Sequence, residues 1–110
     1  MKIFISMPMK AKGTEQVRQE MNKVFEYIKN KLPQAELIDS ILDDADKDIA
    51  IKGDDVRVWY LGKAIQLLSE ADIVFFVNDW KDFRGCSLER EIADKYGKFC
   101  IEIKLNKYYV

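Results

Sequence analysis

The stretch DWKDFRGCSLEREIADKYGK, residues 79–98, holds side chains suited to chemistry on a ligand. Glu89 lies two residues after Ser87, a residue type that often caps helix N-termini. In the first turn of a helix, backbone N–H groups and the helix dipole favour an ionised carboxylate. An ionised glutamate above a crevice can attack an anomeric carbon and form a glycosyl ester. A second interpretation stays open, because the dipole alone makes acidic residues common in first turns.

Arg84 and Gly85 precede this predicted helix and are suited to a ligand contact. Glycine lets the backbone turn sharply and approach a ligand, and arginine offers a planar fork for phosphate or carboxylate. The alternative is a turn glycine beside a solvated arginine that pairs with Asp82. Cys86 follows near the helix start, which lowers a thiol pKa, but it has no evident partner in the sequence. We interpret Cys86 as a small helix-entry residue.

The chain contains no histidine, and this restricts the chemistry. The commonest general base and metal ligand is absent, which excludes Ser-His-Asp and Cys-His hydrolases and His-ligated zinc sites. Catalysis must use carboxylates, hydroxyls, thiols or lysines, and we expect neither a metal nor a cofactor. Residues 44–55 place three aspartates as in a calcium loop. Ile49 and Asp55 stand where that loop needs glycine and glutamate, so a solvated acidic loop is favoured.

Composition and length predict one soluble domain over residues 1–110. The net charge is −1, with 18 basic and 19 acidic side chains mixed along the chain, so a nucleic-acid partner is not expected. No apolar run approaches the ~20 residues of a membrane helix, so we expect no membrane partner. Cys86 and Cys100 are too few for a disulfide framework and are interpreted as reduced thiols. Together these features predict a cytoplasmic protein.

Hydrophobic periodicity predicts the element order β-α-β-α-β-α-β. The strands are expected at 2–6, 35–40, 72–77 and 99–103, with an acidic loop over 40–55. Helices are expected from Thr14 to Pro33, from Asp54 or Asp55 onward, and from Ser87 to Tyr96. The inward-facing positions expected on these three helices are Val17, Met21, Val24, Ile28 and Leu32; Val58, Leu61, Ile65 and Leu68; and Leu88, Ile92, Ala93 and Tyr96.

Alternating strands and helices predict a three-layer α/β/α fold of the flavodoxin or Rossmann-like type, with a parallel sheet of about four strands. The expected strand order is 2-1-3-4, which reverses between the first and third strands, where such sheets bind ligands beyond their carboxyl ends. The segments that leave the sheet there are Ser6-Met7-Pro8 and Asn78-Asp79-Trp80. The expected substrate-binding residues are therefore Ser6, Met7, Pro8, Asp79, Trp80, Arg84 and Gly85.

Three of these residues carry particular expectations. Ser6 is expected to supply a polar contact from the first loop. Asp79 either caps its loop or contacts a sugar hydroxyl, and Trp80 either stacks on a base or covers the edge of the sheet. The residue types alone do not decide between these alternatives.

Several segments resemble the nucleoside 2-deoxyribosyltransferase superfamily. The segment GCSLEREIADKYGK is similar to its signature, glycine–x–x–x–Glu–x–(Gly)–x–Ala–x–x–x–Gly–Lys, with Gly85, Glu89, Ala93, Gly97 and Lys98 in register. KIFISMPM resembles the first strand and proline turn of that family, and SEADIVFFVNDW resembles its central strand. The segments FISMPM, LLSEADIVFFVNDW and RGCSLEREIADKYG more closely resemble short bacterial and phage proteins of deoxyribosyltransferase-like type. The resemblance covers nearly the whole chain.

The resemblance implies an enzyme acting on N-glycosidic bonds, with Glu89 as its nucleophile. Attack on C1′ of a deoxynucleoside or deoxynucleotide would expel the base, and a second base or water would then release the sugar. The resemblance also implies a homo-oligomer, in which the aromatic tail Tyr108-Tyr109 lies at a subunit contact or covers the core.

The chain departs from the family pattern at four places. Phe4 stands where the family carries a tyrosine that orients the nucleophile, and Met7 replaces a glycine. Phe83-Arg84 replaces an acidic residue or serine, and Ala64 falls near the expected base-handling aspartate. These departures favour an alternative function, a catalytically inactive nucleotide-binding module of the same fold.

Overall fold

The structure, a computed structural model, describes residues 1–9, 12–41 and 56–105. Most of the predicted acidic loop, residues 42–55, lies outside the described residues. The predicted calcium-like positions and the tail residues Tyr108 and Tyr109 lie outside them as well.

Strands and helices alternate along the described chain as the hydrophobic pattern predicts. In chain order they are β1 (Lys2–Ser6), α1 (Thr14–Lys31), β2 (Glu36–Leu37), α2 (Val56–Leu68), β3 (Ile73–Val77), a 3₁₀ turn (Trp80–Asp82), α3 (Arg84–Lys95) and β4 (Phe99–Ile103). The bounds of β1 and β4 coincide with the prediction. The second strand is shorter than predicted, because only Glu36 and Leu37 pair with β1.

The four strands form one parallel sheet in the order β2-β1-β3-β4. Its two faces follow the alternation of strand side chains. On one face, Ile3 and Ile5 of β1 pack with Phe75 of β3 and with the buried side of α1. On the other, Phe4 and Phe76 pack with residues of α2 and α3. The prediction of a three-layer α/β/α fold with strand order 2-1-3-4 is confirmed.

Helix α1 buries the predicted positions Val17, Met21, Val24 and Ile28 against the sheet. Its N-terminal flanking residue is Gly13, and Thr14 is its first helical residue and makes no capping bond. No helix among residues 1–9, 12–41 and 56–105 is long and apolar enough to cross a membrane.

Helix α3 begins at Arg84, three residues before the predicted start at Ser87. Phe83 is extended, and its carbonyl accepts a hydrogen bond from the Ser87 amide at 2.9 Å, which closes a turn before the predicted cap. The helix packs on the sheet through Cys86 and Ala93. Leu88 lies about 200° around the helix from Cys86 and is partly exposed.

Two other positions predicted to face inward are largely exposed. Tyr96 is 81% exposed because it follows the last residue of α3 and flanks the helix end, and Val58 in the first turn of α2 is 63% exposed. On α2 only Leu68, at the end nearest β3, is fully buried. The inward face of α2 is therefore narrower than its sequence pattern suggests.

The turn after α3 explains two residues of the sequence signature in structural terms. Gly97 adopts a positive φ of 71°, a conformation that glycine reaches without steric cost. The Lys98 amide donates to the Ala93 carbonyl at 2.9 Å, as in a Schellman motif. The Lys98 ammonium donates to the carbonyls of Ser69 and Ala71 at 2.8 and 2.9 Å. Lys98 thus ties the turn before β3 to the turn before β4.

Substitution of Lys98 by methionine is expected to lower the free energy of unfolding by about 1–3 kcal/mol, since two carbonyls lose a charged donor. Lys95→Met is the matched control, because Lys95 forms only a surface ion pair with Glu91 at 3.6 Å and is expected to change stability by less than about 0.5 kcal/mol. Urea unfolding measures both. Equal losses for the two variants would contradict the structural role of Lys98.

Candidate functional site

A cleft of about 1400 Å³ opens beyond the carboxyl end of β1. Its walls come from the end of β1, the start of α1, one side of α2 and the first two turns of α3. The sequence predicts a crevice lined by the segments that follow β1 and β3. The structure brings the segment after β1 into the cleft, and the start of α3 takes the place of the segment directly after β3.

Glu89 lies in the second turn of α3, because the helix begins five residues before it. The prediction that it sits among the free amides of the first turn is therefore wrong. Glu89 lines the cleft, and its Oε2 atom is buried without a hydrogen-bond partner. Desolvation by burial raises the pKa of the Glu89 carboxyl to about 7, and the nearby Ser6 hydroxyl partly offsets this rise. The carboxylate is thus less readily ionised than the first-turn position predicted.

Ser6 is the last residue of β1 and is only 2% exposed. Its Oγ lies near enough to the carboxyl of Glu89 and the thiol of Cys86 to lower the pKa of each. Ser6 Oγ nevertheless completes no hydrogen bond of acceptable geometry with a described residue. The contact with Glu89 is therefore a close approach without a completed hydrogen bond. Ser6 was expected to contact the ligand from the first loop, but it belongs to strand β1.

Cys86 lies in the first turn of α3 and lines the cleft beside Glu89. Burial raises the pKa of its thiol to about 11, the Ser6 hydroxyl lowers it, and the charge of Glu89 raises it further. Burial outweighs the effect of the helix start that the sequence suggested. Cys86 is accordingly a protonated thiol at neutral pH.

Arg84 and Gly85 are the first two residues of α3; both are exposed and line the cleft. The pairing with Asp82 that the sequence left open is not present among the described ion pairs. A Cβ atom added at Gly85 would meet no heavy atom within 4 Å, so packing does not require glycine there. Met7 also lines the cleft and is buried at its base.

Three of the expected substrate-binding residues do not line the cleft: Pro8, Asp79 and Trp80. Trp80 is buried, with its ring centroid 5.3 Å from that of Phe76, and the Arg90 guanidinium lies over its ring. Trp80 therefore covers the sheet, the second of its two predicted alternatives. Asp79 is exposed beside the 3₁₀ turn and makes no capping bond there.

The cleft also contains polar residues that sequence reasoning did not assign to it. They are Lys12, Thr14, Ser40, Arg57, Tyr60 and Asp82. Thr14 could have been found, because the helix that follows β1 must start at the carboxyl edge of the sheet. Lys12 forms an ion pair with Glu20 at 2.6 Å. No sequence pattern indicates that Arg57 and Tyr60 line the cleft, because their position depends on how α2 packs against the sheet.

All four positions that depart from the resembled pattern line the cleft: Phe4, Met7, Phe83-Arg84 and Ala64. Phe4 and Ala64 are the two that stand in place of a polar residue with an apolar side chain alone. Neither side chain offers a hydrogen-bonding group. Among the described parts of the chain, no three Cys, Asp or Glu side chains are grouped so that they could hold a metal ion.

The chain was compared with known proteins by family, by sequence and by structure. A scan against protein-family models, a search of curated proteins and a search of solved structures each found no match.

The raised pKa of Glu89 predicts a pH-dependent stability. The folded pKa, about 7, lies above the ordinary value of 4.5, so this residue favours folding most below pH 4.5 and loses that contribution as pH rises through 7. Relative to Glu89→Gln, the wild type is expected to lose about 3 kcal/mol of unfolding free energy between pH 4.5 and 8.

Urea unfolding at several pH values measures this difference, with Glu91→Gln as the control on the exposed side of α3. The difference between wild type and Glu91→Gln should stay nearly constant over the same range. A constant difference between wild type and Glu89→Gln would contradict the burial of this carboxyl.

Proposed function

We propose that this protein cleaves the N-glycosidic bond of deoxynucleosides or deoxynucleotides with Glu89 as the nucleophile. The observation that carries the proposal is the Glu89 carboxyl, which lines a ligand-sized cleft at the carboxyl edge of a parallel sheet and has a buried, unpartnered oxygen. Such edges are where open α/β sheets bind ligands. The resemblance to nucleoside 2-deoxyribosyltransferases supports the same role for Glu89.

The residues of the signature differ in what the fold requires of them. Ala93 is fully buried against the sheet, Gly97 takes a positive φ, and Lys98 binds two carbonyls of the neighbouring turn. Each has a structural reason to be present. Glu89 has none, because its burial disfavours the ionised form and no described side chain completes a hydrogen bond to Oε2. A costly, unpartnered carboxyl in a cleft supports a chemical role.

The proposed reaction proceeds in two displacements. A carboxylate oxygen of Glu89 attacks C1′ of the sugar while the bond from C1′ to the base nitrogen breaks, and the departing base takes the electron pair and then a proton. Water, or the nitrogen of a second base, then attacks C1′ and releases the Glu89 carboxylate. The first outcome is hydrolysis and the second is transfer of the deoxyribosyl group.

Arg84 supports a substrate that carries a phosphate. Arg84 itself is exposed at the start of α3, and among the described residues the flanking Phe83 makes no side-chain capping bond to that helix. Free amides at a helix start and an arginine fork both favour an anion. With C1′ at Glu89, a 5′-phosphate at Arg84 would place the sugar between the two. Asp79 and Trp80 have no part in this proposal, because neither lines the cleft.

A catalytically inactive nucleotide-binding module is the second candidate. Phe4 and Ala64 line the cleft where the resemblance implies a tyrosine and an aspartate, so the cleft lacks those polar groups at these two positions. Such a module would bind the same class of ligand without cleaving it. For either candidate, a homo-oligomer and a cytoplasmic location stay predictions from the sequence.

The enzyme proposal is tested by incubating wild type, Glu89→Gln and Glu91→Gln with a panel of deoxynucleosides and their 5′-monophosphates. Release of free base, followed by chromatography, should occur with wild type and Glu91→Gln and fall about a thousandfold or more with Glu89→Gln. The rate should rise with pH through about 7, since the nucleophile must be ionised. No release from any substrate, together with thermal stabilisation by a nucleotide, would favour the inactive module.

The proposed contact of Arg84 predicts a preference for phosphorylated ligands. A deoxynucleoside 5′-monophosphate should raise the melting temperature more than the parent nucleoside does, and Arg84→Gln should weaken monophosphate binding about tenfold. Lys81→Gln is the control, because Lys81 is an exposed cation that does not line the cleft. Equal shifts for nucleoside and monophosphate would refute the phosphate contact and leave the role of Glu89 unaffected.

A further inference from the structure

Two buried polar atoms without a hydrogen-bond partner lie in the same part of the cleft. Among the side chains that the structure describes, they are Ser6 Oγ and Glu89 Oε2. Buried polar atoms are nearly always paired, and leaving one unpaired is costly. The serine hydroxyl can donate a hydrogen bond and the carboxylate oxygen can accept one, so the two groups are suited to pair with each other.

The fold fixes Ser6 opposite the side of α3 that carries Glu89. Ser6 and Phe4 are two residues apart on β1 and so lie on the same face of the sheet, the face covered by α2 and α3. The pairing of Ser6 with Phe76 holds its backbone in the sheet. Cys86 and Glu89 are three residues apart on α3 and so share one side of that helix. All three side chains line the cleft, and the Ser6 hydroxyl lies near enough to lower the pKa of both Cys86 and Glu89.

The carboxylate of Glu89 is the stronger of the two acceptors near Ser6. A thiol that stays protonated is a weak acceptor, whereas an ionised carboxylate forms short, charge-assisted hydrogen bonds. Ser6 is only 2% exposed, which leaves its hydroxyl little surface for a ligand.

We propose that Ser6 is a positioning residue whose hydroxyl donates a hydrogen bond to the Glu89 carboxylate and holds it in the cleft. The hydroxyl then stabilises the ionised carboxylate while the other oxygen remains available to a ligand. The contact stands on the geometry of β1 and α3, and its catalytic meaning rests on the proposed function.

The direction of the Ser6 effect on the Glu89 pKa agrees with this role, since the hydroxyl lowers a pKa that burial raises. Other titratable or charged groups face the same cleft and must be kept unchanged in the test. They are Arg84 and Cys86 at the start of α3, Asp82 in the 3₁₀ turn, Lys12 before α1, and Arg57 and Tyr60 on α2.

The test measures the Glu89 pKa directly by carbon NMR of protein labelled at the glutamate carboxyl carbons, with Glu89→Gln to assign the signal. Ser6→Ala should raise the Glu89 pKa by about one unit or more above that of wild type, and Ser6→Thr should restore it. Ser40→Ala is the matched control, because Ser40 is a second buried serine in the cleft whose hydroxyl donates to Met21 Sδ at 3.9 Å. It should leave the Glu89 pKa unchanged.

Three results would overturn the assignment: an unchanged Glu89 pKa in Ser6→Ala, an equal rise in Ser40→Ala, or a rise in Ser6→Thr as large as in Ser6→Ala. If wild type releases base, the acidic limb of its pH–rate profile should move in Ser6→Ala by the same amount as the NMR pKa. A shifted pKa without base release from any substrate would sustain the Ser6–Glu89 contact and defeat the proposed enzyme. Base release by wild type together with an unshifted Glu89 pKa in Ser6→Ala would sustain the proposed enzyme and defeat the Ser6–Glu89 contact.

Discussion

The parallel pairing of β1 with β3 is the constraint on which the rest of the molecule depends, because it places the buried apolar residues of both strands at the centre of the sheet. Ile3 pairs with Ile73 and Ser6 with Phe76, so both strands end at the same edge. Side chains from these strands form the middle of both core clusters. Once that pairing is set, α1 covers one face, α2 and α3 cover the other, and the cleft opens beyond the end of β1.

At the candidate site, the burial of the Glu89 carboxyl opposes its ionisation. A carboxyl removed from water prefers its neutral form, yet a nucleophile must be ionised. Glycoside cleavage offers a resolution, because its transition state carries positive charge on the sugar. That charge would attract the carboxylate most strongly in a dry cleft, at the moment when attack occurs. Burial thus raises the pKa of Glu89 to about 7, and the proposed reaction would favour its ionised form.

The residues of one sequence signature can have different roles, some structural and some chemical. In this chain the turn after α3 accounts for Gly97 and Lys98, and the packing of α3 on the sheet accounts for Ala93. These three would be retained in a protein that had lost all chemistry. Glu89 differs because its Oε2 atom is buried with no hydrogen-bond partner among the described residues. The two candidate functions therefore diverge at this residue, while the surrounding residues are compatible with both.

The sequence by itself determined the element order from its hydrophobic periodicity, and it determined β3 because burial on both faces leaves a continuous apolar run. The strand order 2-1-3-4 was an expectation that the structure confirmed. It also predicted that Glu89, Arg84 and Ser6 would lie near one another. Only the tertiary structure decided that α3 starts at Arg84, which moves Glu89 out of the first turn. It also decided that the Glu89 carboxyl is buried, and this burial raises its pKa where the sequence led us to expect a readily ionised carboxylate. Only the packing of Trp80 against Phe76 decided that this ring covers the sheet and does not face a ligand. Helix starts, desolvation and the facing of aromatic rings depend on contacts between segments far apart in the chain, and local sequence patterns do not encode such contacts.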